Sequence, residues 1–421
     1  MTKRLMQFVE FRQLLILTLL AHVCAAALWD SDPPRQPRVR AITAFVSIDR
    51  ATYVKQIQDT LVMLRKAKSA FEKGGYEVQT IRITTQPFPQ YTRGITKAEA
   101  LEFFKGFDAL SKKESFLANV GPAMMNDQDE SAVELLADIL LSTDINTSLV
   151  IAADDGVHWN AIRAAAKTIK YVEEHSTNGA RNFDFAAAAF VPAYTPFFPA
   201  SNHNGQGHQF SVGLEAGAFV ADVFTESHGD PRIARELLAR KLAEHARSLE
   251  AIAMRVEKDS GWSYMGLDAT PAPGPDSSIG AAIQQFTGTK FGSSGTLTAA
   301  AIITDAVRSI PVKRVGYSGL MLPPLEDPVL AQGWSEKNYN IDSVLAYSAV
   351  CGTGLDTIPL PGDVSRQQLE RILGDVASLA FKWHKPLAAR LIPAPGKKAG
   401  DKTDFSFGIP GFPNVILQPL P

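Results

Sequence analysis

The chain has 421 residues, 45% hydrophobic and 20% charged, which is the composition of a globular protein with ample material for a core. A formal net charge of −2, with no run of Lys/Arg interleaved with aromatics, argues against a nucleic-acid surface. Only Cys24 and Cys351 occur, so any stability must come from packing rather than a disulfide framework.

In chain order, MTKRLMQFVEFR places Lys3, Arg4 and Arg12 before the apolar run LLILTLLAHVCAAAL. A basic start, a short apolar run and a small-residue exit read as a secretory signal peptide over residues 1–27. Such a leader implies a secreted or periplasmic chain; a mis-set start and a cytoplasmic chain are the alternative. His22 interrupts the run, which is short for a membrane span. No later stretch is longer, so the mature chain is expected to have no span. Residues 28–37 form a Pro-rich linker.

VRAITAFVSI reads as a strand from its β-branched, alternating residues. A helix comes next, with Ile57, Leu61, Leu64 and Phe71 at helical spacing until Gly74-Gly75 stops it. YEVQTIRITT is another strand, residues 98–107 a helix, and FLANVGPA a short strand. SLVIAADDGVH, FDFAAAAFVPA, GWSYMGLD, KRVGYSGLMLP and YSAVCGTGLD all read as strands running into turn-rich loops. Helical patterns such as ARELLARKLAEHARSLEAIAMRVEK and SRQQLERILGDVASLAFKWH separate most of them. Alternating β and α segments with apolar strands predict a largely parallel α/β unit, open or closed, over residues 38–393. The Pro/Gly-rich tail, 394–421, is expected to wrap the surface or to be partly mobile.

Ligands of parallel α/β folds sit at the carboxyl ends of strands, and four loops there are unusual. TPFFPASNHNGQGHQF brings His203 and His208 close in sequence and precedes SVGLEAGAFVADVF, read as a helix carrying Glu215. His203 and Glu215 are candidates for proton transfer. Two further loops nearly repeat one another: GLDATPAPGPD from Gly266 and GLDTIPLPGD from Gly354. Asp276 or Ser277 could cap the helix near Ser278, and Ser365 with Gln368 forms a capping box. Asp268 and Asp356 could serve as acid and base, bind a cation, or anchor their loops. Asp276 and Asp363 are further candidates for ligand contact. In the fourth loop, FGSSGTLTAAAIITDAV, Ser293, Ser294 and Thr296 precede a helix and suit a carboxylate or phosphate; it is not a P-loop, since no Lys occupies the required place. Cys351, just ahead of Asp356, is a candidate nucleophile or a small buried hydrophobe.

Several of these segments together are similar to one family. ITAFVSID, VQTIRITT, TPFFPAS, PGPDSSIGAAI, FGSSGTLTAAAIITDAVRSIPVKRVGYSGLMLPPLEDP and YSAVCGTGLDTIPLPGD resemble the "domain of unknown function 711" family, of the UPF0210 type, over about residues 39–376. The resemblance implies a fold similar to pyruvate formate-lyase-like glycyl radical enzymes, an α/β barrel of about ten strands in two pseudo-related halves. An open, doubly wound, mostly parallel sheet is the alternative. The segment Arg314-Val315-Gly316-Tyr317 is similar to a glycyl radical motif, but it lacks the spacer before the glycine. Cys351 also lies after that segment instead of preceding it, so radical chemistry is at most that of a degenerate relative.

The expectation is therefore an exported enzyme acting on a small polar or anionic molecule by non-redox, hydrolase- or lyase-like chemistry. Cys351, Asp356, Asp268, His203 and Glu215 would be catalytic, and Ser293, Ser294, Thr296, Asp276 and Asp363 would hold the ligand. No dinucleotide fingerprint appears, and neither a cofactor nor a metal can be assigned. A non-catalytic protein that binds a small ligand or a metal ion is the competing class, and self-association is left open.

Overall fold

The computed structural model describes residues 35–274, 276–406 and 412–420. The leader expected over residues 1–27 lies outside them. From Gln36 onward the chain forms one unit, built on two five-stranded sheets.

The first sheet has the order β3-β2-β1-β7-β8, with β1 at Arg38–Val46, β2 at Val78–Pro87, β3 at Leu117–Gly121, β7 at Gln209–Glu215 and β8 at Ser263–Ala272. β1, β2 and β3 run parallel, β7 runs against β1, and β8 runs with β7. The second sheet has the order β5-β4-β6-β10-β9, with β4 at Thr147–Ala153, β5 at Gly156–Val157, β6 at Phe185–Ala189, β9 at Gly354–Pro361 and β10 at Leu387–Ala394. Here β4 and β6 are parallel, as are β9 and β10, and the two pairs oppose one another.

The sheet edges meet. Val120 donates to the Asn146 carbonyl at 2.9 Å and Asn146 to that of Ala118 at 3.0 Å, bridging β3 to the start of β4. At the other edge Leu267 of β8 donates to the Lys313 carbonyl at 2.8 Å. The segment leading away from Lys313 reaches Leu320, whose carbonyl accepts from the Thr353 hydroxyl at 2.9 Å, beside β9.

Local chemistry explains the helices. Asp230 caps the Pro231–Ser260 helix, Pro231 sits where its missing N–H costs nothing, and Gly261 ends the helix in the left-handed conformation. The capping box expected at Ser365 and Gln368 is present in full. Ser278, rather than Asp276 or Ser277, caps the Ile279–Thr287 helix; the Ser277 hydroxyl instead accepts from the Ala218 amide. The tail is tied down: Val415 and Leu417 are buried, and Gln418 donates to the Trp334 and Tyr339 carbonyls.

Three segments differ from expectation. QFSVGLE is strand β7, and the helix begins only at Gly217. The alternation Phe210, Val212, Leu214 is a period-2 signal that the Ala-rich stretch after it disguised. KRVGYSGLMLP forms an irregular connection, whose bridge at Arg314 completes the edge of β8. YSAVCGTGLD begins in the Ile341–Ser348 helix, passes Cys351 in a bend, and enters β9 only at Gly354.

Candidate functional site

Three apolar strands each place one arginine toward a shared cavity: Arg40 in β1, Arg82 in β2 and Arg390 in β10. All three line one cavity of about 660 Å³ between the two sheets, a size suited to a small molecule. Its apolar wall includes Phe183, Phe197, Phe198, Tyr317 and Met321, and its carboxylates are Asp144, Asp184, Glu326 and Asp356.

Arg390 is fully compensated. Its Nε donates to Asp356 Oδ1 at 2.5 Å, its Nη2 to Glu326 Oε1, and its guanidinium stacks 4.8 Å from the Phe183 ring centre. Burial alone would lower the Arg390 pKa, but the two carboxylates outweigh it and raise it. Glu326 is held above the usual carboxylate range, mainly by burial.

Arg82 is different. It is 6% exposed, its Nε donates to the Thr80 hydroxyl at 2.9 Å, and its guanidinium lies 5.0 Å from the Phe198 ring centre. Among the described residues no carboxylate is within ion-pair distance of it. Burial first, then Arg40, pull its pKa down to about 9, which leaves it charged at neutral pH. An unpaired buried ion costs several kcal/mol; here the charge opens on a cavity. Arg40, by contrast, bonds to Gln79 at 3.0 Å and lies 3.6 Å from Glu215.

Asp184, at the end of the 3₁₀ turn Thr177–Asp184, pairs with Arg181 at 3.1 Å, a partner it shares with Asp144. Burial pushes its carboxyl up to about 7, so it can give or take a proton at neutral pH.

The backbone aims Asp356 at Arg390. Register slips between β9 and β10 at this point, a bulge that re-aims a side chain. Thr357 beside it has φ 45°, costly for a β-branched residue and most often found at functional sites.

Of the candidate catalytic and ligand-binding residues read from sequence, only Asp356 lines the cavity. Asp268 is fully buried and accepts from the Thr270 amide and hydroxyl and the Tyr317 and Ser318 amides. It holds the connection that carries Tyr317 into the cavity wall, so anchoring is its visible role. Burial still raises its pKa to about 6 against those four bonds. Glu215 ends β7 behind Arg40, accepts from Gln79 at 2.8 Å and is raised by burial. Buried His203 bonds the Val46 carbonyl at 3.1 Å and is lowered by burial, while exposed His208 packs on Trp262. Cys351 is packed in the core, with burial pushing its thiol up to about 11.

The Ser293–Thr296 loop spends several of its polar groups locally: the Ser293 amide bonds the Lys290 carbonyl, the Thr296 amide bonds that of Ser293, and the Thr296 hydroxyl accepts from the Gly292 amide. Ser293, Ser294 and Asp363 are exposed, and Asp276 pairs with Arg38 at 2.6 Å. Among the described residues no group of three or more His, Cys, Asp or Glu could hold a metal ion, and no helix is long and apolar enough to cross a membrane.

Arg40, Arg82, Arg390, Asp184 and Glu326 were not singled out from sequence, and Tyr317 was named only within the segment likened to a glycyl radical motif. The available signal was an arginine inside each of VRAITAFV, VQTIRITT and LAARLIPA, where burial on both sheet faces leaves a charge little room.

Fold and cavity define an α/β protein with a charged cavity lined by two mixed sheets. The chain belongs to the family described as Uncharacterised ACR (DUF711), whose sequence profile matches residues 34–406. It is similar to a UPF0210 protein of Pyrobaculum islandicum, 30% identical over 403 residues covering 88% of each chain. Another such protein, from Methanopyrus kandleri, is 27% identical over 288 residues, covering 66% of this chain and 64% of its own. A third, from Acetivibrio thermocellus, is 27% identical over 322 residues, covering 73% and 69%.

Proposed function

We propose that the inter-sheet cavity binds a small anionic molecule, a carboxylate or a phosphate, and that the protein is an enzyme acting on it by non-redox chemistry. The observation that carries this reading is Arg82, a buried cation facing the cavity without a carboxylate of its own. An anionic group would complete its charge-assisted bonds. The enzymatic part rests on Asp184 and Glu326, whose raised carboxyls line the same cavity and suit proton transfer. Binding without turnover is the competing reading.

The two edge connections support a further proposal, that both sheets close into one barrel of the pyruvate formate-lyase-like type, with the cavity inside. Export is proposed on the sequence of residues 1–27 alone, and N-terminal sequencing of native protein beginning at Met1 would refute it.

The test of the binding proposal is a thermal-shift screen of wild type and Arg82→Met against small carboxylates and phosphate esters. Wild type should be stabilised by members of one class. Arg82→Met should lose that response, weakening binding by roughly 30- to 160-fold if a charge-assisted pair is worth about 2–3 kcal/mol. Its own Tm should rise, because an unpaired buried charge has been replaced by an apolar chain. Equal ligand response in both proteins would refute the site.

A further inference from the structure

The cavity is polarised, and this narrows the ligand. On the first sheet Arg82 lacks a carboxylate, and Arg40 stands beside it. Across the cavity the balance is reversed: Arg390 of the second sheet carries two carboxylates, Asp356 of β9 and Glu326 of the irregular connection before the Pro328–Ser335 helix. Phe198, stacked on Arg82, and Phe183, stacked on Arg390, place apolar surface at both poles. Glu326 also acts at longer range on Arg82 and Arg40, so a simple anion neutralising Arg82 would take that counter-charge away from the second carboxylate.

We propose that the ligand is a zwitterion, with its carboxylate or phosphate on Arg82 and a protonated amine on the Glu326–Asp356 side. This rests on the anion reading of Arg82 and adds the second pole. An ammonium there would accept no hydrogen bond and donate up to three, matching carboxylate oxygens left over from Arg390. Both poles line one cavity, and the buried guanidiniums at each make contacts there stronger than on an open surface. Such a ligand is amino-acid-like, or the phosphate equivalent of one.

Matched probe sets test this by calorimetry on the full chain. The first set is the ω-amino acids of two to six carbons, each with its desamino acid and its decarboxylated amine. L-Phenylalanine, 3-phenylpropionate and 2-phenylethylamine form a second. O-Phosphoethanolamine with ethyl phosphate forms a third, which separates a phosphate end from a carboxylate end. In at least one set the zwitterion should bind about tenfold or more tightly than either single-charge analogue, the ratio expected of one added charged contact. Glu326→Gln and Asp356→Asn should each shrink that ratio. The wild-type ratios alone test the claim if either variant fails to fold.

If single-charge acids bind as tightly as their zwitterions in every set, the amine pole is wrong. The anion reading survives that outcome provided Arg82→Met still loses the acids. If no acid or zwitterion binds, both readings fall together.

Discussion

Asp268 and Asp356 occupy equivalent places in two nearly identical strands, yet their surroundings are opposite. Both strands carry a glycine in the left-handed region just ahead of the aspartate, Gly266 at φ 139° and Gly354 at φ 89°, and both let a neighbouring backbone pass close. A Cβ on Gly266 would sit 2.8 Å from the Lys313 carbonyl oxygen, and one on Gly354 would press on the Ala388 backbone. The repeated element is thus a way of seating a strand against a tight neighbour. Beyond the glycine the two copies part. Asp268 receives four hydrogen bonds and faces the connection to Tyr317, while Asp356 sits on a bulge and meets Arg390 in the cavity. A shared local motif can therefore build an anchor in one copy and a site in the other.

The likeness between the copies is most fragile at the shared glycines. Gly354→Ala should cost about 3 kcal/mol or more, since a rigid sheet backbone blocks the Cβ and φ is unfavourable. Gly266→Ala should cost less, because its neighbour is an irregular segment that can shift. Denaturant unfolding of both variants checks the order.

The aspartates separate next. Asp268→Asn turns an amide N–H toward backbone donors and should cost about 2–3 kcal/mol. Asp356→Asn should cost about 1–2 kcal/mol, because Arg390 keeps Glu326, and its larger effect should be on ligand affinity. Equal stability losses with no change in binding would erase the distinction.

A pH series sharpens it further. Burial holds the folded Asp268 carboxyl near about 6 against the ordinary 3.8, so the unfolded chain releases that proton first. Its contribution to stability is complete below about pH 4 and is lost as pH rises through about 6, with no change above. Subtracting the Asp268→Asn curve from wild type should reveal that fall.

The smallest expected effect concerns Cys351, the feature that distinguishes the second motif copy in sequence. Being buried with its thiol pushed up to about 11, it should react with thiol probes more slowly than a free peptide thiol. Faster labelling than the peptide would return it to the site.

Much of the fold was legible because strands and helices alternate with different periods, and because caps such as Ser365-Gln368 and Asp230-Pro231 are local. Glu215 was placed in a helix because the Ala/Gly-rich stretch after it hid the alternation of β7. The site was far less legible. Asp356 stood out only through its repeated motif, whereas Arg40, Arg82 and Arg390 are single charges in apolar strands. Their convergence depends on which sheet face each strand turns inward and on how the two sheets meet, neither of which is local. His203 and Asp268 have the chemistry of site residues, but the His203 Nε2 is spent on the Val46 carbonyl and Asp268 on its own loop and the Tyr317 connection, which spacing does not reveal.

The most direct measurement is a crystal structure of the wild-type chain soaked with the tightest-binding anion from the screen. An anionic group should lie within about 3 Å of the Arg82 guanidinium, the distance of a charge-assisted hydrogen bond. Density for that anion elsewhere, with Arg82 untouched, would overturn the site.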